Sequence, residues 1–173
     1  MKKPSKLKII LLTIIPILFL LILTILLIRL VSPREIDDVA PGISCQVELL
    51  EKADILWVIP IFQNNSIVNN SEWCTQIKSL GKEVQLHGVY HKYKEFKTPR
   101  SPEYLQEGID AFQSCFNKYP SKFKPPQLAY AKSNDEIIKQ AKLKRIGLFN
   151  QFLHKVYHCN DTGLFSNKFI NYV

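Results

Sequence analysis

Residues 9–28 (IILLTIIPILFLLILTILLI) run for 20 positions without a charge. A helix rises about 1.5 Å per residue, so this block spans about 30 Å, the hydrocarbon thickness of a bilayer. A chain holding such a block must give it to lipid and fold the remainder separately. Pro16 lies inside the block, which a membrane helix tolerates. Lys2, Lys3, Lys6 and Lys8 precede it, and Arg29 and Arg34 follow. The heavier basic side stays in the cytoplasm, so the expected order is a cytoplasmic tail over 1–8, an anchor over 9–31 and an extracytoplasmic domain over 35–173. A cleaved signal peptide would have a shorter apolar core and a small-residue exit. The exit here is RLVSPRE.

The 173 residues suit one domain plus this segment. The net charge of +8 is concentrated at the front. Residues 1–34 hold six basic and no acidic residues, and the other 17 basic and 15 acidic residues leave the outer domain at +2. Nucleic-acid binding needs a strong basic face on the domain itself, so that class is set aside. The four cysteines, Cys45, Cys74, Cys115 and Cys159, form no C-x-x-C pair, which argues against a cysteine zinc site. Outside the cell they permit three disulfide pairings; free buried thiols are the alternative.

Beyond the anchor, short apolar runs alternate with helical spacing. Strands are expected over 34–39, 54–60 and 82–88. Helices are expected over 44–53, over 71–80 with Ser71 as cap and Gly81 as stop, over 102–119, and over 133–144 capped by Ser133. Residues 123–126 read as extended because residues before proline avoid the helical region. Residues 145–157 read as one or two short strands. Strand and helix in alternation imply an α/β fold with a parallel sheet. About 139 residues are short for an eight-unit barrel of about 250, so a reduced or open barrel is expected.

In parallel α/β folds, sites form at the carboxyl ends of strands. Asp37 and Asp38 close the first strand, and His87 and His91 follow the third. On a helical turn, two imidazoles four apart share one face and can reach one metal. Gly88 stands where a zinc peptidase helix would carry glutamate, so that chemistry is excluded. A catalytic zinc takes three protein ligands and keeps a position for water. One of the paired aspartates supplies the third ligand and the other can accept a proton. Each motif alone is more often a turn or a pair of structural histidines.

Together they resemble the polysaccharide deacetylases of the NodB-homology superfamily, nearest to a divergent branch of unknown function. The resemblance rests on Arg34 with Asp37, Asp38, Val39 and Pro41; on Leu86, His87, Gly88 and His91 followed by Glu95 and Phe96; and on Phe123, Pro125 and Pro126. It covers about residues 34–161 and implies a reduced or distorted (β/α) barrel of that type. It further implies that Asp37 is the catalytic base, and that Asp38, His87 and His91 hold a divalent metal, commonly zinc. A later histidine then protonates the leaving amine. His158 is favoured because Asp161 follows closely and can orient its ring. His154 is the reserve, and a second metal site on the His154/His158 pair is a further alternative. Lys124 stands where the family often has arginine, keeping the charge but not the planar fork. With Pro126, His154 and Asp161 it is assigned to substrate binding or tuning.

Trp57, Phe62, Trp73, Tyr90 and Tyr93 are candidates for stacking on sugar rings, most of them more simply core residues. Lys92, Lys94, Lys97 and Arg100 form a basic run suited to an anionic polymer or head groups, or simply to water. Asn64, Asn69 and Asn160 begin glycosylation sequons. The expected function is metal-dependent removal of N-acetyl groups from envelope carbohydrate. The alternatives are an inactive membrane-anchored domain that binds glycan or a partner, and a tethered scaffold whose histidines and aspartates are structural.

Overall fold

The structure, a computed structural model, describes residues 6–159. Helix α1 (Lys6–Val31) carries Pro16 without interruption. Its window Leu12–Val31 has a mean hydropathy of 3.0 and none of it is buried, so it is long and apolar enough to cross a membrane.

After α1 the chain runs β1 (Arg34–Val39), α2 (Val47–Lys52), β2 (Ile55–Val58), a hairpin of β3 (Ile61–Phe62) and β4 (Asn65–Ser66), α3 (Ser71–Ser79), β5 (Glu83–His87), α4 (Pro102–Phe116), β6 (Lys122–Lys124), α5 (Asp135–Gln140), β7 (Lys144–Arg145), α6 (Leu148–Leu153) and β8 (Lys155–His158). Six strands form one parallel sheet in the order β7-β6-β5-β2-β1-β8. The expected α/β architecture is therefore present. β2 is buried along its whole length, as a central parallel strand covered on both faces must be. Leu105, Ile109, Phe112 and Phe116 recur at helical spacing on α4 and are buried in the core with Ile36, Leu56, Leu86 and Phe123.

Local chemistry sets the boundaries. The Ser101 hydroxyl accepts from the Tyr104 amide at 3.3 Å and Pro102 opens α4. Asn117, at φ 51°, ends it three residues before the expected stop. Two expected caps are absent: Ser71 is the first residue of α3, after Asn70, and Ser133 lies in a 3₁₀ turn. Helix α5 is accordingly only six residues long. Within 145–157, a helix, α6, stands before the strand β8. All four cysteines are bridged, Cys45 to Cys159 and Cys74 to Cys115, which replaces the free-thiol alternative with one of the three pairings.

Candidate metal centre

In a regular strand Asp37 and Asp38 would point to opposite faces. They do not, because the β1–β2 register shifts between Ile36 and Val39, and Asp38 takes a left-handed conformation at φ 63°. Aspartate is among the few residues that tolerate it. The bulge turns both carboxylates into one pocket of about 310 Å³ at the carboxyl end of the sheet.

His87 ends β5, two strands away from β1. The chain then reverses: Gly88 stands at φ 65° and His91 at φ 56°. The two histidines therefore meet through a loop closing on a strand end, not on a helical turn. The buried Glu95 holds that loop. Its carboxylate accepts from the Val89 amide at 3.1 Å, the Tyr90 amide at 2.8 Å and the Tyr104 hydroxyl at 2.5 Å. A side chain at Gly88 would run into it, with a Cβ 2.4 Å from Glu95 Oε2 and 2.5 Å from Pro126 Cγ. Pro126 is thus a packing partner of the loop, while its neighbour Pro125 lines the pocket.

Three donor atoms converge. Asp38 Oδ1 lies 3.3 Å from His87 Nε2 and 2.9 Å from His91 Nε2. His87 Nδ1 is 3.0 Å from the Lys124 carbonyl oxygen. A carbonyl only accepts, so Nδ1 carries the proton and Nε2 can present a lone pair to the centre. Burial alone would raise the Asp38 carboxyl, but the hydrogen bonds and charge of His87 and His91 outweigh it and hold the group well below the usual carboxylate range. Burial alone would lower His91, but the bond and charge of Asp38 outweigh it and raise that imidazole above its ordinary value.

The ligand atoms all lie within 4.8 Å of one another. Around a tetrahedral zinc with bonds of about 2.0–2.1 Å, ligand atoms stand about 3.3–3.4 Å apart. The residues present therefore fit a divalent cation with two imidazoles and one carboxylate, leaving a coordination position open. Among the described residues, this is the group of His, Cys, Asp and Glu with such spacing.

Beside it, buried Asp37 receives a hydrogen bond from Lys124 Nζ at 2.8 Å through Oδ1. His158 pairs in register with Asp37, its Nε2 3.8 Å from Oδ2, and its side chain is 40% exposed in the pocket wall. His154 is turned elsewhere: its Nδ1 meets Glu35 Oε1 at 2.5 Å, outside the pocket lining. Asp161, expected to orient His158, lies outside the described residues.

Glu35 is the functional-looking residue that the sequence analysis missed. It is buried, and it also accepts from Trp57 Nε1 at 2.7 Å, Asn150 Nδ2 at 2.8 Å and Lys124 Nζ at 3.4 Å. Its one signal was position: two residues before Asp37 on a strand, it shares that face. Lys124 therefore sits between two buried acids, its ammonium 5.2 Å from the centre of the Trp57 ring. Trp57 is core, whereas Tyr93 is 79% exposed at the tip of the histidine loop.

No family model matches the chain, and no curated protein does. Solved structures do. A family 4 carbohydrate esterase pseudoenzyme from Bacillus anthracis aligns with a TM-score of 0.52 at 19% identity, over 66% of this chain and 42% of that one. The family 4 carbohydrate esterase from Streptomyces lividans, solved with acetate, aligns with a TM-score of 0.51 at 13% identity, over 66% and 60%. A polysaccharide deacetylase from Bacillus cereus aligns with a TM-score of 0.50 at 16% identity, over 74% and 59%. At these identities the likeness is one of fold: this chain has the parallel-sheet fold of the polysaccharide deacetylases. It spans about half the length of these structures, between 42% and 60%.

Proposed function

We propose that this chain is a membrane-tethered, metal-dependent hydrolase that removes N-acetyl groups from cell-surface or envelope carbohydrate. One observation carries the proposal: Asp38, His87 and His91, from two strand ends and one loop, aim a carboxylate oxygen and two imidazole nitrogens at one point beside the buried Asp37. Two imidazoles and a carboxylate suit zinc. A cation held there supplies Lewis acidity towards an acyl oxygen and eases deprotonation of water.

The remaining roles fall to the protein. Asp37 accepts the proton of the attacking water. Lys124, bonded to Asp37 Oδ1, fixes that carboxylate in place and leaves Oδ2 towards His158. His158, on the open wall, delivers a proton to the departing amine nitrogen. Lys124 thus takes the tuning position, and His154 serves as a partner of Glu35. The pocket is at the small end of ligand sites, which suits a single acetylated sugar unit.

The helix and the cysteines support an extracytoplasmic place for the domain. A span over 9–31 behind a basic tail over 1–8 leaves the deacetylase-like domain of 35–173 outside, and two disulfides suit an oxidising compartment. The test is metal analysis of the detergent-purified full chain together with acetate release from N-acetylglucosamine oligomers. Retained metal and release that disappears in Asp37→Asn are expected. A chain that retains no metal and frees no acetate overturns the proposal.

A second function is favoured by a specific observation: one of the fold neighbours is a pseudoenzyme. On that alternative the domain binds glycan or an envelope partner without hydrolysis. It requires oligosaccharide binding that survives His87→Ala, with no acetate from the parent protein.

A further inference from the structure

Helix α6 carries its amphipathicity outward. At 3.6 residues per turn, Leu148, Phe149 and Phe152 fall within an arc of about 100°. They are 62%, 82% and 59% exposed. Its polar residues turn inward: Asn150 Nδ2 donates to the buried Glu35 at 2.8 Å, and Gln151 lines the pocket. A helix facing water buries its apolar stripe instead. Three neighbouring large apolar side chains left outside mark a surface that something covers.

The location of α6 indicates the cover. Arg29, in the last turn of α1, donates through Nη1 to the carbonyls of Phe152 at 3.1 Å and His154 at 2.8 Å. Lys155 Nζ returns a bond to the Leu30 carbonyl at 3.0 Å. The free carbonyls at the end of α6 are thus satisfied by the apolar helix itself. Arg29 belongs to the window Leu12–Val31. A bilayer filling that window ends at the level of Phe152, where an arginine naturally reaches for the head groups. Exposed Lys142, Lys144 and Arg145 precede α6, a cationic flank of the kind that accompanies interfacial helices on anionic lipid.

We infer that α6 is a second membrane contact, with Leu148, Phe149 and Phe152 seated in the outer-leaflet interface of the bilayer that holds α1. This rests on the membrane part of the function proposed above and is independent of hydrolysis. The pocket wall that carries Gln151 is then the wall nearest the lipid, and the sugars within reach are those held close to the head groups.

The test uses the full chain in vesicles of phosphatidylcholine and phosphatidylglycerol, with and without brominated acyl chains. In Phe149→Trp the added emission is blue-shifted and most of it is lost on bromination. In Tyr93→Trp, at the exposed loop tip, the added emission stays unquenched. Phe149→Trp emission as water-like as that of Tyr93→Trp, in a chain that resists alkaline extraction, overturns the second contact while leaving the anchor intact. Blue-shifted but unquenched emission also overturns it, in favour of cover by a second copy or by residues 160–173. A chain released by alkali overturns the membrane reading on which the inference stands.

Discussion

A left-handed aspartate makes the proposed centre possible. Without φ 63° at Asp38, Asp37 and Asp38 would serve opposite faces of the sheet, and the histidines would have no carboxylate between them. Asp38 and His87 should then be indispensable for metal retention. His87→Ala should weaken metal binding by more than the roughly 10–100-fold typical of outer-sphere partners, as read by metal competition. Two glycines separate conformational cost from collision cost. Gly81→Ala, at φ 65° with nothing within 4 Å, should lose about 1 kcal/mol. Gly88→Ala has the same φ but meets Glu95 and Pro126, so it should lose clearly more in urea unfolding and release the metal as well. Equal losses for the two would show that Glu95 does not hold the loop. Lys124→Met strips the cation from two buried acids and should cost about 3–5 kcal/mol, against under 1 kcal/mol if those acids are effectively solvated. The residues of the proposed centre were legible in the sequence because acids and imidazoles at strand ends are few. Glu35 was not, because an acid inside a strand gives no hint that Lys124, Trp57, Asn150 and His154 converge on it from later in the chain.

At the scale of elements, legibility followed how much of an element's pattern was set by the core. β2 was readable from its continuous apolar run, and α4 from Leu105, Ile109, Phe112 and Phe116. α6 was not, because its phase is inverted: the aromatic residues that should announce a buried face look outward, and the polar ones face Glu35. Likewise, the spacing of His87 and His91 suits a helical turn, but the Glu95 carboxylate gathers the intervening amides into a loop instead. The end of α4 offers a local test. Asn117 holds a left-handed conformation at φ 51° that glycine adopts without side-chain cost. Asn117→Gly should therefore stabilise the domain by a few tenths to about 1 kcal/mol, raising the melting temperature by a few degrees. A fall in melting temperature would mean that the asparagine side chain makes a contact worth more than the backbone strain.

Across the whole molecule, the two disulfides divide stability from site geometry. Cys74–Cys115 joins α3 to α4 on one side of the sheet across 41 residues, and Cys45–Cys159 joins the loop after β1 to the end of β8 across 114. By chain entropy each contributes roughly 4–5 kcal/mol, and together they approach the about 5–15 kcal/mol that holds an ordinary domain. Reductant should therefore shift urea unfolding of the full chain to much lower midpoints. The two bridges should differ in where their loss is felt. Among the described residues β8 is an edge strand paired to β1 alone, and the Cys159 amide bonds the Asp37 carbonyl at 3.3 Å, directly behind His158. Replacing Cys45 and Cys159 by alanine should speed amide exchange at Lys155–His158 and loosen His158 from Asp37, lowering acetate release in the fraction that stays folded. Replacing Cys74 and Cys115 should lower the unfolding midpoint while exchange at β8 follows only the global change. If β8 amides stay as protected without Cys45–Cys159 as with it, the β1 ladder alone fixes His158, and that bridge serves stability and not the site.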